Sequence, residues 1–330
     1  MSPRCKVAAH SDWVNWTRYV PGQTRGHYES FFQRANHPRR PLAFWIRYTL
    51  FSPRGHPGQA SGELWAIFFD GERGRHVAVR EQMPLADCHF EGKALGVRIG
   101  AAELRPGSLF GRASDGSHGI TWDLSCQGES PPVFLLPVRL YEWGFPRAKS
   151  LVSLPLAVYS GSLAVDDRKI IVDHWVGSQN HNWGRRHTDH YAWGQVAGFD
   201  NAPGTFLEVA TVRLRLGPLW TPPLTPLVLR HQGREHLLTS LRQSLRARAE
   251  FRCFHWNFRS ETERVLIRGR VEAPEEAFVH LKYSDPPGRQ RGCFNSKIAA
   301  CQLSLTCRRS GMTQTLVTRN RAAFEILPRN

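Results

Sequence analysis

The stretch 173–199, DHWVGSQNHNWGRRHTDHYAWGQVAGF, concentrates the side chains of this sequence that are best suited to chemistry. It holds His174, His181, His187 and His190, the indoles of Trp175, Trp183 and Trp193, and the carboxamides of Gln179, Asn180 and Asn182. Imidazole and indole combine apolar area with one or two hydrogen-bonding atoms. A plain connection needs none of this, so the composition predicts a loop that lines a ligand pocket. His181 and His190 are candidates for moving a proton. His181, Asn182 and Trp183 are the expected centre of ligand contact, with Asn180 beside them. The competing reading is a plug, in which imidazole and carboxamide bond to backbone where two units meet.

Hydration or cyclisation of an alkene needs a proton donor in apolar surroundings, then shielding of the cation that forms. Burial raises the pKa of a carboxyl and makes it such a donor, and aromatic faces stabilise cations. Strand periodicity picks out two acids. Over 204–216 one face carries Phe206, Glu208, Ala210, Val212, Leu214 and Leu216, while Arg213 and Arg215 face the other way. Glu208 therefore projects from an apolar face, where a lone carboxylate is costly. Glu63 likewise shares a face with Trp65, Ile67 and Phe69. The alternative for each is an acid at a strand end, or one paired to an arginine such as Arg47. Tyr191, Trp193 and Gln195 alternate along 190–199. They predict a ring-lined wall with a polar handle, or core aromatics with satisfied polar tips.

By residue type alone, the four histidines with Asp189 would make an adequate metal-ligand set. Their spacing matches no recognised site, there is no H-E-x-x-H, and no cysteine lies nearby. The expectation is no metal and no other cofactor. G-x-S-x-G, the P-loop and G-x-G-x-x-G are all absent from the sequence. Lys297 precedes an alternating strand and either meets an acid or faces water.

The elements that must position these groups are short strands. Runs at 27–33, 44–51, 63–70, 76–80 and 119–126 alternate aromatic and β-branched residues with polar ones, and Gly-, Pro- and Asp-rich turns such as Asp115-Gly116 separate them. The pattern resumes from 156 to 172 and from 190 to 216, and continues to 327. One stretch, 238–249, has Leu238, Leu241, Leu245 and Ala249 spaced for a helix face. Many short strands mean an all-β barrel or sandwich. The halves also resemble each other: FWIRYTL and YAWGQVAG precede ELWAIFF and FLEVATV, and GITWDLS is echoed by CFHWNFR. The reading is a lead-in over 1–24, a first barrel over 25–165 and a second over 166–330.

Composition narrows the function classes. At 330 residues and 41% hydrophobic, the chain can build one large core or two ordinary ones. The net charge is +16, and 38 of the 44 basic residues are arginine, scattered in blocks of at most three. This predicts a compositional bias and no nucleic-acid partner, with peripheral contact to anionic membrane as the use such a surface allows. Seven widely spaced cysteines without C-x-x-C predict reduced thiols. No apolar run reaches about 18 residues, and the first residues carry no long apolar segment. The expected location is cytoplasmic or membrane-peripheral; the oligomeric state stays open.

The phrase HWVGSQNHNWGRRHTDHYAWGQ, with GHYESFF, AFWIRYTLFSP and GELWAIFFD upstream, resembles the two-domain lipocalin-like (calycin) superfamily. That superfamily contains carotenoid 1,2-hydratases, tocopherol cyclases and the calycin-type Diels–Alderases. The resemblance implies two tandem lipocalin-like antiparallel barrels with short helical segments, a hydrophobic ligand and cofactor-independent chemistry. It leads to the expectation of a cyclase, hydratase or isomerase acting on an isoprenoid or polyene-like molecule. Glu208, His181 and His190 would handle the proton. Asn180, Asn182, Trp183, Tyr191, Trp193, Gln195, Arg47, Glu63 and Trp65 would hold the substrate. The alternative is a carrier that binds a lipid or pigment without changing it.

Overall fold

Aromatic and β-branched residues at period two, interrupted by turn formers, give strands almost throughout. The computed structural model describes residues 12–328. The first sheet contains β1 (His27–Asn36), β2 (Leu42–Ser52), β3 (Ser61–Asp70), β4 (Val77–Pro84), β5 (Cys88–Phe90), β6 (Val97–Ile99), β7 (Ala102–Arg105), β8 (Ser108–Ser114), β9 (Gly119–Gln127), β10 (Val133–Phe134), β11 (Ala148–Val165) and β12 (Arg168–Gly184). Its strand order is β4-β3-β2-β1-β12-β11-β9-β8-β7-β6-β5, with β10 paired to β11. It curls into a nearly closed barrel, and the Ser114 amide donates to Glu81 across the gap (2.8 Å).

After a short passage over 185–189 the second sheet begins. It is built from β13 (His190–Phe199) and β14 (Ala202–Arg213); the small pair β15 (Arg215–Leu216) and β16 (Leu219–Trp220) stands apart from it. The chain re-enters it as β17 (Leu227–His231) and β18 (Arg234–Leu238), passes through α1 (Leu241–Arg246), and continues with β19 (Arg248–Arg252), β20 (His255–Glu261) and β21 (Val265–Glu272). It ends with β22 (Val279–Ser284), β23 (Gln290–Cys307) and β24 (Thr313–Leu327). The order is β18-β17-β14-β13-β24-β23-β21-β20-β19. The two sheets trace the same path, so β1 corresponds to β13, β2 to β14, and the 18-residue β11 to the 18-residue β23. The internal repeat is real but offset by one strand from the sequence pairing, because HYESFF, not FWIRYTL, is the counterpart of HYAWGQ.

Three expectations are corrected. The stretch expected to be a loop is mostly strand: β12 pairs with β1 on one edge and β11 on the other. Its polar residues alternate, with Gln179, His181 and Trp183 on one face and Ser178, Asn180 and Asn182 on the other. Nearly all are buried. The turn at 165–168 lies inside the β11–β12 hairpin, so the passage between sheets is 185–189. The helix over 238–249 shrinks to α1, closed by a capping box between Ser240 and Gln243. Leu241 and Leu245 on it are exposed, so no core holds the apolar stripe in a longer helix.

Burial explains how the units join. Phe31, Phe44, Tyr48, Leu64, Phe68, Trp122 and Trp175 fill the first barrel. The opposite faces of β1–β3, carrying Phe32, Trp45, Trp65, Ile67 and Phe69, merge with the core of the second sheet. Every residue of β1 and β3 is therefore buried. Close approach is set by glycine: a Cβ on Gly177 would lie 1.7 Å from the Arg34 carbonyl oxygen, and one on Gly184 would lie 2.3 Å from that of Arg147. Gly177→Ala is expected to cost at least about 1–3 kcal/mol in urea unfolding. Gly204→Ala, where a Cβ meets nothing within 4 Å, should stay within about 0.5 kcal/mol of the parent.

Candidate functional site

The face of β13 and β14 that meets the first barrel carries Trp193, Gln195 and Glu208, with Gln195 directly opposite Glu208 in the ladder. Glu208 is buried. Its Oε1 accepts from Trp193 Nε1 (2.7 Å) and its Oε2 from Gln195 Nε2 (2.8 Å). Burial pushes its carboxyl up to about 7, against hydrogen bonds from Trp193 and Gln195 and the positive charge of Arg34, which pull it down. Arg34 reaches it only through Gln195: Nε donates to Gln195 Oε1 at 2.6 Å.

Two residues of β12 complete the ring. Ser178 Oγ donates to Gln195 Oε1 (2.6 Å), Gln195 Nε2 donates to Asn180 Oδ1 (2.8 Å), and Asn180 Nδ2 donates to Ser178 Oγ (2.9 Å). Further along the interface, Lys297 is fully buried. Its Nζ donates to Asn295 Oδ1 (2.6 Å) and Glu325 Oε1 (2.8 Å). It stands 5.3 Å from the Trp193 ring and 5.6 Å from Trp45. Burial pulls its amine below the ordinary lysine range, while Glu325 opposes the shift. Lys297 thus meets an acid rather than water.

A column of rings and cations continues to the surface. Arg47 lies 5.8 Å from the Trp45 ring and 4.9 Å from Tyr283, which packs against Trp65 (5.8 Å) and His187 (5.9 Å). Tyr191 contacts Cys293 Sγ through its hydroxyl at 3.6 Å. Desolvation, with the neighbouring charges of Arg47 and Arg291, holds the His187 imidazole down at about 3, so it is neutral. Beside it opens a cleft of about 380 Å³ lined by Phe145, Pro146, Leu214 and Leu216 among others.

His181 and Trp183 face the other way, into the end of the first barrel. His181 Nδ1 donates to the Val14 carbonyl (2.7 Å), and Nε2 meets Glu29 Oε1 (2.9 Å). The ring stacks on Phe31 at 4.2 Å. Glu29 also accepts from the Arg18 and Tyr19 amides and from His27 Nε2. Burial works against its charge, but the hydrogen bonds and charges of His181 and His27 win and hold it near 2. Trp183 packs with Val14, Tyr141 and Leu151. His181 thus bonds to backbone as a plug would, but at the end of the first barrel and not where the two units meet.

The remaining candidates separate. His190 donates to the Leu327 carbonyl (3.0 Å) and packs on Phe251, at the strand end away from Glu208. Glu63 accepts from Arg80 (2.8 Å) and Trp65 Nε1 (3.1 Å), so its arginine partner is Arg80, not Arg47. Asn182 is half-buried, with its Oδ1 unpaired. The histidines do not converge: His174 is exposed and bonded to Asp173, and the other three occupy the separate places just described. Sequence reasoning missed Arg34, Ser178, Glu325 and Glu29. The available signal was charge inside a strand with no polar face, as in SFFQRAN.

No family model matches the sequence. An uncharacterised protein of Mycobacterium tuberculosis, found in strains H37Rv and CDC 1551 / Oshkosh, is 30% identical over 208 residues. That match covers 63% of this chain but only 61% of the relative's length. Among solved structures, a protein from Nitrosomonas europaea assigned to AttH superposes with a TM-score of 0.57 at 13% identity, covering 93% of this chain and 98% of that one. Kievitone hydratase from Nectria haematococca gives 0.58 at 10% identity, over 92% and 89%. CghA gives 0.59 at 11% identity, over 95% and 94%. This is the two-barrel lipocalin-like fold. The two-barrel lipocalin-like frame places the ring-and-amide cluster between its sheets. Among the described residues no helix is long and apolar enough to cross a membrane.

The Glu29 charge sets an acid limit. Its carboxyl sits below the ordinary value of 4.5, so its contribution to folding is present above that value and is lost as pH falls toward 2. Glu29→Gln removes one of the two oxygens shared by His27, His181 and the Arg18 and Tyr19 amides, and should cost about 1–3 kcal/mol at pH 7. In urea titrations the gap from the parent should narrow steadily below about pH 4.5.

Proposed function

We propose that this chain is a cofactor-independent enzyme that adds a proton to a hydrophobic small molecule between its two barrels, leading to hydration, cyclisation or isomerisation. The observation that carries the reading is Glu208. It is a fully buried carboxyl with no cation in direct contact, raised to about 7 and flanked by an indole. At neutral pH such a group is part protonated and donates well, whereas an ordinary carboxyl is already ionised. Trp193 and Trp45 present ring faces, shared with Lys297, that shield a developing cation, and Gln195, held by Asn180, orients the Glu208 carboxyl. Arg34, two bonds removed, stabilises the carboxylate left after transfer. Entry would run from the cleft beside His187, past Tyr283 and the neighbouring Trp65, Arg47 and Tyr191, and would require these packed side chains to part. His181, His190 and Glu63 have no part in proton transfer in this scheme, because their partners occupy them elsewhere.

The fold neighbours support the reading at the level of architecture: one is named a hydratase, and another, CghA, was solved with Sch210972. The second reading, a carrier, draws on the same network, since both Glu208 oxygens are already satisfied by donors.

Incubation of the purified chain with a lipid extract, followed by mass spectrometry, separates the two. Turnover should give a product heavier by water or an isomer of the starting compound. The rate should fall as pH rises through about 7, where Glu208 loses its proton. Glu208→Gln should lower the rate by about 10²–10⁴-fold. A compound retained unaltered by both proteins would establish the carrier reading instead. Because the folded-state value lies above 4.5, Glu208 favours folding most at acid pH, and that contribution declines as pH rises to about 7. The Gln variant should lose this slope in either case, which shows that the substitution reached a folded protein.

A further inference from the structure

Five separate chain segments bring arginines to one cleft at the junction of the two sheets. Arg25, Arg54, Arg147, Arg185, Arg186 and Arg289 line a space of about 360 Å³, together with one acid, Asp285. Asp285 is already engaged: its Oδ1 accepts from the His187 amide (2.8 Å), and its Oδ2 faces Arg291 Nε at 3.5 Å. Arg186 is paired with Asp189. Among the described residues the guanidinium groups of Arg25, Arg54, Arg147, Arg185 and Arg289 have no acid and no hydrogen-bond acceptor. Lys149 lies close enough to Arg185 for that charge, after burial, to lower its amine further.

The segments are fixed, not merely adjacent. The Arg54 amide donates to the Pro286 carbonyl (2.8 Å), the Gly55 amide to Thr24 (2.9 Å), the Arg185 amide to Arg147 (3.1 Å) and the Asp285 amide to Arg289 (2.7 Å). Gly26, with φ of +73°, lets the first strand meet this loop; a Cβ there would lie 2.8 Å from Pro286 Cβ. The backbone thus holds several like charges around one concavity. All of these arginines but Arg186 are exposed, so solvent screens part of their mutual repulsion; an anion relieves the rest, and guanidinium forks match phosphate oxygens two at a time.

We infer that this cleft is a binding site for a phosphate-bearing group of at least two negative charges, of the diphosphate or phosphomonoester class. A carboxylate carries too little charge to offset five free guanidinium groups, and a concavity of about 360 Å³ suits a compact group rather than a long polyanion. The site involves none of the residues around Glu208, and although Arg147 and Arg186 also line the cleft beside His187, Arg54 and Arg289 do not, so a test on those two is separate from the proposed chemistry. The phosphate can belong to a soluble molecule or to a lipid headgroup.

The test is isothermal titration of the full chain with inorganic diphosphate at fixed ionic strength, alongside sedimentation with phosphatidylcholine vesicles with and without phosphatidic acid. Saturable diphosphate binding, weakened at least tenfold in Arg54→Gln/Arg289→Gln and unchanged in the charge-matched control Arg98→Gln/Arg112→Gln, supports a soluble source. Vesicle binding that requires phosphatidic acid and is lost in the first double variant but kept in the control supports a headgroup. Absence of saturable binding in both arms overturns the inference, as does binding that falls equally in the two double variants. Far-ultraviolet circular dichroism of each variant shows that it is folded.

Discussion

A strand buried on both faces has no side that water can reach, and β1 is in that position along its whole length. Each polar side chain on it needs a partner inside the protein. Arg34 finds one across the interface in Gln195, and Gln195 in turn holds Glu208 and Asn180. These bonds tie β1, β12 and β13 together, so the register between the two sheets is set by hydrogen-bond satisfaction as well as by packing. The same set of bonds gives the interface its chemical character. Removing any member leaves another buried group unpaired, which is the costly outcome for a dry network.

Two glutamates show how little burial alone decides. Glu29 and Glu208 are both inaccessible to water, yet one is held near 2 and the other raised to about 7. The difference lies in the donors. Glu29 faces two imidazoles and two backbone amides, whereas Glu208 faces only an indole and a carboxamide. Two imidazoles and two backbone amides outweigh desolvation; an indole and a carboxamide do not. One carboxylate is therefore fixed as a charge and serves the architecture, while the other is poised near neutrality and suits proton transfer.

The all-β class, the two tandem units and the inward placement of Glu208, Trp193 and Gln195 were legible in the sequence, because strand periodicity assigns faces directly. The histidine-rich stretch was misread as a loop because polar composition imitates one; its alternation of Ser178, Asn180 and Asn182 with Gln179, His181 and Trp183 was the better signal. That alternation also sends His181 and Asn180 to opposite faces, which dissolves the single site that proximity in sequence suggested. Arg34 and Lys297 were harder to place, since nothing local tells a charge facing solvent from one facing a second sheet. Long-range pairing decides that, and it spans 161 residues for Arg34 and Gln195.

The segment before β1 looks like a dispensable polar tail, but it is wired into the barrel. Val14 supplies the acceptor for His181, and the amides of Arg18 and Tyr19 clasp Glu29. Trp13 stacks on Phe134, 5.7 Å away. A shortened chain beginning at β1 would open this end of the barrel to solvent, wetting the carboxylate of Glu29 that had been kept dry and baring the indole of Trp183. Any expression boundary drawn between the lead-in and the first strand therefore cuts through the hydrophobic seal of the domain, and fragments meant to isolate the first barrel should retain the residues from 12 onward.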